Sequence, residues 1–205
     1  MNDIFGPGSN VGKRVFRDHN ELQKQIEACR VLGFKIVLTS GTFDLLHIGH
    51  CRYLEQAKGI LGAPDQTVLV VGIDSDEKVH ARKDRNTLVA EDERIEIVCH
   101  QRHVDLVFLK QFSDERWELI KTVTPDVLVV SETTKEQPHT AEEQTELAAF
   151  CGEVRVLPAQ ATTSTTARIR LLLIGRTELL EEKVEAFYRD MKDFFDKLKG
   201  GNHGP

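Results

Sequence analysis

Three short apolar runs constrain this chain more than any other feature. Residues 35–39, 67–73 and 126–130 read KIVLT, TVLVVGI and DVLVV. They are rich in β-branched residues and do not alternate with polar ones, as expected of strands buried on both faces. Residues 104–109 and 154–157 supply two shorter candidates. Helical periods fill 48–61, 91–102, 113–123 and 140–150. Strand alternating with helix predicts βαβ units and a parallel sheet. Right-handed crossovers put helices on both faces. The expected fold is therefore α/β: a Rossmann-like open parallel sheet with helices on both faces, plus a C-terminal helical extension.

A chain of 205 residues has room for one such domain and appendages. Residues 1–17 carry Gly6, Pro7, Gly8, Ser9, Asn10 and Gly12 and predict a flexible N-terminal arm. A helix is expected from Asp18 to Leu32, capped by Asp18 or Asn20 and ended by Gly33. The main domain is assigned to residues 18–175. Residues 176–199 contain no Gly or Pro, and Leu180, Val184, Phe187, Met191, Phe194 and Leu198 form an a/d stripe. That amphipathic helix predicts a homodimer, although packing on its own domain explains the same stripe. Residues 200–205 read as a disordered tail.

Charge and composition exclude several partners. No apolar run approaches the roughly 18 residues of a membrane span, and the N-terminus lacks the order of a secretory signal. The net charge of −6 argues against a nucleic-acid coat. Cys29, Cys51, Cys99 and Cys151 are scattered without a C-x-x-C pair, which predicts reduced thiols and a cytoplasmic protein.

The chemistry concentrates in residues 40–50, Ser-Gly-Thr-Phe-Asp-Leu-Leu-His-Ile-Gly-His, directly after the first run. Ligands of open α/β sheets bind at the carboxyl ends of strands, beside helix N-termini whose N–H groups attract phosphate. Gly41 lets the backbone pass close to a ligand. His47 and His50 fall on one face, a turn apart, where both imidazoles can donate to one phosphate. Gly49 between them leaves space against the helix. Downstream, residues 80–86 form a basic loop with Arg82, Lys83 and Arg85. A loop of this kind can close over phosphates, though a solvated charged loop looks the same. Residues 162–166 are hydroxyl-rich, and Ser164 or Thr165 can cap the helix expected at 167–174 while its amides hold phosphate.

The pattern G-T-F-D-x-x-H-x-G-H resembles the signature of the cytidylyltransferase-like nucleotidylyltransferase superfamily. The resemblance runs over roughly residues 20–172. It takes in 51–58 as the following helix, 70–76 as the second strand and its loop, the Asp92-Glu93-Arg94 element and the Ser164-Thr165-Thr166 element. It implies that Gly41, Thr42, Phe43, Asp44, Gly49, Arg94, Ser164 and Thr165 bind the nucleotide, and that His47, His50, Arg82 and Lys83 act in catalysis. Arg102 resembles a further arginine of some relatives.

The implied reaction is transfer of a nucleoside monophosphate from a nucleoside triphosphate to a phosphorylated sugar or polyol, with release of pyrophosphate. The acceptor is already an anion, so no general base is needed, and Asp44 orders the loop. Mg2+ is expected to be held mainly through the triphosphate, with no residue assigned as a metal ligand. Residues 30–37, 125–130 and 152–157 look like the heptose-1-phosphate adenylyltransferase domain of ADP-heptose synthases, which favours ATP. Glycerol-3-phosphate cytidylyltransferases share the core, so CTP is the alternative, but residues 158–163 lack the arginine those enzymes carry. Relatives have glycine-aspartate where this chain has Ser131-Glu132-Thr133-Thr134. A non-catalytic nucleotide-binding scaffold is the reading from another class.

Overall fold

The computed structural model describes residues 10–132, 141–160 and 180–193. The chain divides into two compact units, Met1–Thr162 and Thr163–Pro205. The first unit holds a six-stranded sheet, all parallel. Its strands are β1 (Val15–Phe16), β2 (Lys35–Gly41), β3 (Thr67–Asp74), β4 (Leu106–Lys110), β5 (Val127–Ser131) and β6 (Glu153–Leu157). The helices are α1 (Val11–Arg14), α2 (His19–Val31), α3 (Ile48–Lys58), α4 (Asp76–Lys83), α5 (Glu91–Cys99), α6 (Glu118–Val123) and α7 (Ala141–Ala148).

The strand order is β1-β4-β3-β2-β5-β6. The chain winds outward from β2 through β3 to β4, then returns to the other side of β2 with β5 and β6. The direction of winding reverses between β2 and β5. Crevices form at such switch points, outside the carboxyl ends of the strands.

The non-alternating runs are explained by two cores. Val37, Leu69, Val71, Ile73, Val107, Leu109 and Val129 point to one face, against Tyr53 and Leu54 of α3 and Ile95 and Val98 of α5. Ile36, Leu38, Val68, Val70, Leu106, Phe108 and Leu128 point to the other, against Leu22 and Ile26 of α2, Leu119 and Val123 of α6 and Leu147 of α7. Strand β3 is buried along its whole length. The fold is thus the expected Rossmann-like parallel sheet covered on both faces.

Asp18 caps α2 through a 3.0 Å bond from the Glu21 N–H, and Gly33, at φ +85°, turns the chain out of the helix. Three local expectations give way. The N-terminal arm expected to be loose is ordered from Val11 to Phe16. Strand β1 pairs with β4, and buried Arg14 donates to the carbonyls of Val104 (2.8 Å) and Cys99. Residues 1–9 lie outside the described residues. Helix α4 replaces most of the expected basic loop, because Ser75 caps it by accepting the Lys78 N–H. The helix expected from 113 starts at Glu118, because Asp114 accepts the Gln111 N–H and closes a turn first.

Of the second unit, residues 180–193 are helical, and Leu180, Val184, Phe187 and Met191 are exposed along it. Phe194, Leu198 and the tail at 200–205 lie outside the described residues.

Candidate active site

The site grows from the end of β2 at the switch point. Tyr53 of α3 donates to the Val129 carbonyl at 3.2 Å and meets Thr39 Oγ1 at 2.7 Å, locking β2 to β5 beneath it. Burial pushes the Tyr53 hydroxyl up to about 12, so it stays a neutral hydrogen-bonding group.

After Gly41 the backbone turns sharply. Phe43 sits at φ +51°, an uncommon conformation for a non-glycine residue, with its ring buried. A Cβ on Gly41 would stand 3.0 Å from that ring, so glycine is what lets Phe43 fold back. Buried Asp44 then ties this turn to the segment before α5. Its Oδ1 accepts the N–H groups of Leu88 (2.7 Å) and Val89 (3.1 Å), and its Oδ2 accepts from Arg85 at 2.9 Å. Burial works to raise its pKa, but the bonds from Arg85, Val89 and Leu88 outweigh it and hold the carboxyl below the usual range. Asp44 is a permanent anion that organises two loops.

His47 is the N-cap of α3. Its Nδ1 accepts the Gly49 N–H at 3.1 Å, while the His47 N–H donates to His50 Nδ1 at 3.4 Å. The two residues form a capping box out of imidazoles. Because both Nδ1 atoms are acceptors, the proton of each neutral ring sits on Nε2. The rings stack, with centroids 4.0 Å apart and planes at 25°. Phe43 packs edge-on against His50 at 5.3 Å. Burial first, and the neighbouring His47 second, push the His50 pKa down to about 4. At neutral pH, His50 is an uncharged N–H donor beside a helix N-terminus.

A basic cluster lies across the loop. Arg82 and Lys83, in the last turn of α4, reach Thr42 Oγ1 at 3.3 and 2.9 Å. Arg82 also pairs with Asp74 Oδ2 at 3.0 Å, and Lys110 at the end of β4 pairs with Asp74 Oδ1 at 3.1 Å. Lys78 donates to the Gln111 carbonyl at 2.9 Å nearby. Burial opposes ionisation of Asp74, but Lys110 and Arg82 overcome it and keep the carboxyl below its ordinary pKa. Lys78 is pushed down by burial and by Lys110. Three cations, Arg82, Lys110 and Lys78, thus gather around one buried carboxylate at the carboxyl ends of β3 and β4, and Lys83 is held on Thr42, whose Oγ1 lies 3.5 Å from Asp74. An anion with several negative charges is the complementary ligand.

The structure therefore brings together Gly41, Thr42, Phe43, Asp44, His47, Gly49, His50, Arg82 and Lys83. Arg94 has a different role from the expected phosphate contact. Its side chain is fully buried, and it donates to the carbonyls of Val89 (3.0 Å), Thr42 (2.6 Å) and Asp74 (2.9 Å) and to Asp76 Oδ1 (2.7 Å). It braces the loop from behind. Arg85 is the partner of Asp44, and exposed Arg102 precedes β4, at the opposite end of the sheet. Ser164, Thr165, Thr133 and Thr134 lie outside the described residues. Sequence reasoning missed Asp74, Lys78 and Lys110. Their signal is positional: each lies at or just after the carboxyl end of a predicted strand.

The family model described as cytidylyltransferase-like matches residues 38–171. The chain belongs to the cytidylyltransferase-like family of nucleotidyltransferases. The Bifunctional protein HldE of Desulfatibacillum aliphaticivorans is 35% identical over 158 residues, covering 76% of this chain and 30% of that protein. Its counterpart in Geobacter metallireducens is 41% identical over 105 residues, covering 51% of this chain and 20% of that protein. The chain thus spans less than a third of the length of these curated relatives. The crystal structure of the lipopolysaccharide core biosynthesis protein from Thermoplasma volcanium matches 62% of this chain and 97% of its own length. With a TM-score of 0.51 and 24% identity, it shares the fold. Among the described residues no helix is long and apolar enough to cross a membrane.

Proposed function

We propose that this protein transfers an adenylyl group from ATP to a sugar 1-phosphate, heptose 1-phosphate being the favoured acceptor, and releases pyrophosphate. The observation that carries the reading is the stacked His47–His50 pair at the start of α3, on the same loop as Thr42, which Arg82 and Lys83 reach. An acceptor phosphate oxygen attacks the α-phosphorus in line and pyrophosphate departs. The two imidazoles donate to the α-phosphoryl oxygens as charge spreads over them. Arg82, Lys83 and Lys110 offset the repulsion between two anions brought into contact, and hold them in line.

Asp44 and Asp74 are both committed, Asp44 to Arg85 and backbone amides and Asp74 to Arg82 and Lys110. That donor set fits Mg2+ carried in on the triphosphate, where it would neutralise phosphate charge. The choice of ATP and heptose rests on the resemblance to ADP-heptose synthases and on the relatives named HldE. Cytidylyl transfer to glycerol 3-phosphate is disfavoured by the missing arginine in residues 158–163. The exposed stripe Leu180, Val184, Phe187 and Met191 is the surface on which a second copy would pair, and sedimentation of the full chain tests that dimer. Four free thiols fit a cytoplasmic setting.

The deciding experiment measures pyrophosphate release by purified protein with Mg2+, ATP or CTP, and a panel of sugar and polyol phosphates. Turnover is expected with ATP and a sugar 1-phosphate. Silence across the whole panel defeats the proposal, and tight nucleotide binding without turnover would point to a scaffold.

A further inference from the structure

A second polar cluster stands at the carboxyl ends of β1 and β4, beyond the nucleotide pocket. It consists of His19 at the start of α2, Asp114 in the turn after β4 and Glu118 at the start of α6. The tautomer of His19 follows from its neighbours. Its Nδ1 lies 2.8 Å from Thr122 Oγ1, and Thr122 spends its own hydroxyl hydrogen on the Glu118 carbonyl at 2.9 Å. Thr122 therefore accepts, and the ring proton sits on Nδ1. In the neutral ring Nε2 is then a bare lone pair. That atom is sealed from solvent and has no hydrogen-bond partner among the described residues.

Two carboxylate oxygens face it, Asp114 Oδ1 at 3.6 Å and Glu118 Oε1 at 3.9 Å. The second oxygen of each carboxylate is already fixed. Asp114 Oδ2 accepts the Gln111 N–H at 2.8 Å, and Glu118 Oε2 accepts the Glu115 N–H at 2.8 Å. Phe108 packs on the imidazole with centroids 4.5 Å apart. Three acceptors thus converge with no donor among them, each held by its other heteroatom. Lys78 feels the charge of Asp114 from outside the cluster and donates to the Gln111 carbonyl at 2.9 Å. Such a constellation is repulsive unless a cation stands at its centre.

A proton on Nε2 would satisfy the charge but not the geometry. A charge-assisted N–H···O bond closes to about 2.7–2.9 Å, and both gaps here are far longer. The separations instead approach the ~3.4 Å edge of a tetrahedron with bonds near 2.1 Å. Nitrogen with two carboxylate oxygens suits zinc-like ions, whereas Mg2+ and Ca2+ prefer all-oxygen sets.

We propose that His19 Nε2, Asp114 Oδ1 and Glu118 Oε1 bind one divalent transition-metal ion of the zinc class, separate from the Mg2+ expected on the triphosphate. The ion clips the start of α2 to the turn after β4 and to α6. That turn also carries Gln111, which holds Lys78, directly after Lys110. The metal thus steadies part of the basic cluster without touching substrate.

The test uses the full chain, stripped with a chelator, dialysed and titrated with Co2+. A visible d–d band that saturates at one equivalent, is displaced by Zn2+ and accompanies a rise in unfolding temperature is the expected result. His19→Gln should lose the band. Glu118→Gln, at the exposed rim where the fold tolerates change, should bind at least about tenfold more weakly, as should Thr122→Val. No uptake of Co2+ or Zn2+ by the wild type at millimolar metal overturns the site, as does equal uptake by the wild type, His19→Gln and Glu118→Gln. None of these readouts depends on nucleotide turnover.

Discussion

His47 and His50 hold each other and the helix start at once: their rings stack at 4.0 Å while each Nδ1 takes a backbone N–H of the same turn. Capping and the proposed phosphate donation therefore fall to different atoms of one ring, and they can be separated. Asparagine also caps well, since its side-chain oxygen accepts the same N–H. His47→Asn should keep the thermal midpoint close to wild type while pyrophosphate release falls about 10²- to 10³-fold, the cost of one lost transition-state donor. A calorimetric scan beside a turnover assay checks both halves. Equal loss of stability and rate would mean that the ring serves only as a cap.

The depressed pKa of His50 predicts how stability depends on pH. The folded value is about 4 against 6.5 for a free imidazole. Between those values the unfolded chain binds more protons, so stability is full above about pH 6.5 and is lost as pH falls through 4. The loss attributable to this ring amounts to about 3 kcal/mol. Urea titrations of wild type and His50→Gln at pH 7 and pH 5 should show a steeper acid loss in the wild type. Parallel curves would remove the buried, neutral imidazole from the account.

Lys83 and Arg82 both reach Thr42, and Arg82 pairs with Asp74 at 3.0 Å. Lys83→Ala should lower kcat/KM by about tenfold or more. Arg82→Ala should cut activity and also lower the unfolding midpoint, because buried Asp74 loses its 3.0 Å ion pair. The steady-state constants of each variant should rise and fall with ionic strength less steeply than those of the wild type. An unchanged salt dependence would take these cations out of the phosphate path.

Arg94 predicts the opposite division. Replacing it with Met strands the carbonyls of Val89, Thr42 and Asp74, and removes a partner of Asp76. The expected loss is about 3 kcal/mol or more in chemical unfolding. A stable Arg94→Met protein that no longer binds nucleotide would restore the phosphate role that the sequence suggested.

The legible parts of this chain are those where one physical demand dominates. The buried runs announce β2, β3 and β5 because two apolar faces leave no polar alternation. Asp18 and Gly33 mark the ends of α2 by their own local chemistry. Residues 41–50 reveal the site because glycine, histidine and strand end coincide. Helix α4 is hidden because Val79 is its only buried residue, so there is no stripe to read. Strand β1 is hidden because two residues carry no period, and its anchor is Arg14 bonding to carbonyls some 85–90 positions away in sequence. Arg94 is hidden too, because its acceptors include the Thr42 carbonyl, 52 positions away. An arginine after acidic residues looks like a surface ion pair until the turn it braces is in place.

Asp74 has one more consequence. Arg82, Lys110 and Lys78 would drift apart if left alone, and an incoming triphosphate would have to herd them back. Held by a carboxylate that is 1% exposed, they wait already assembled, with the protein's own anion standing in for the guest. The work of gathering like charges is completed during folding, so it weighs on the resting molecule rather than on the encounter with nucleotide.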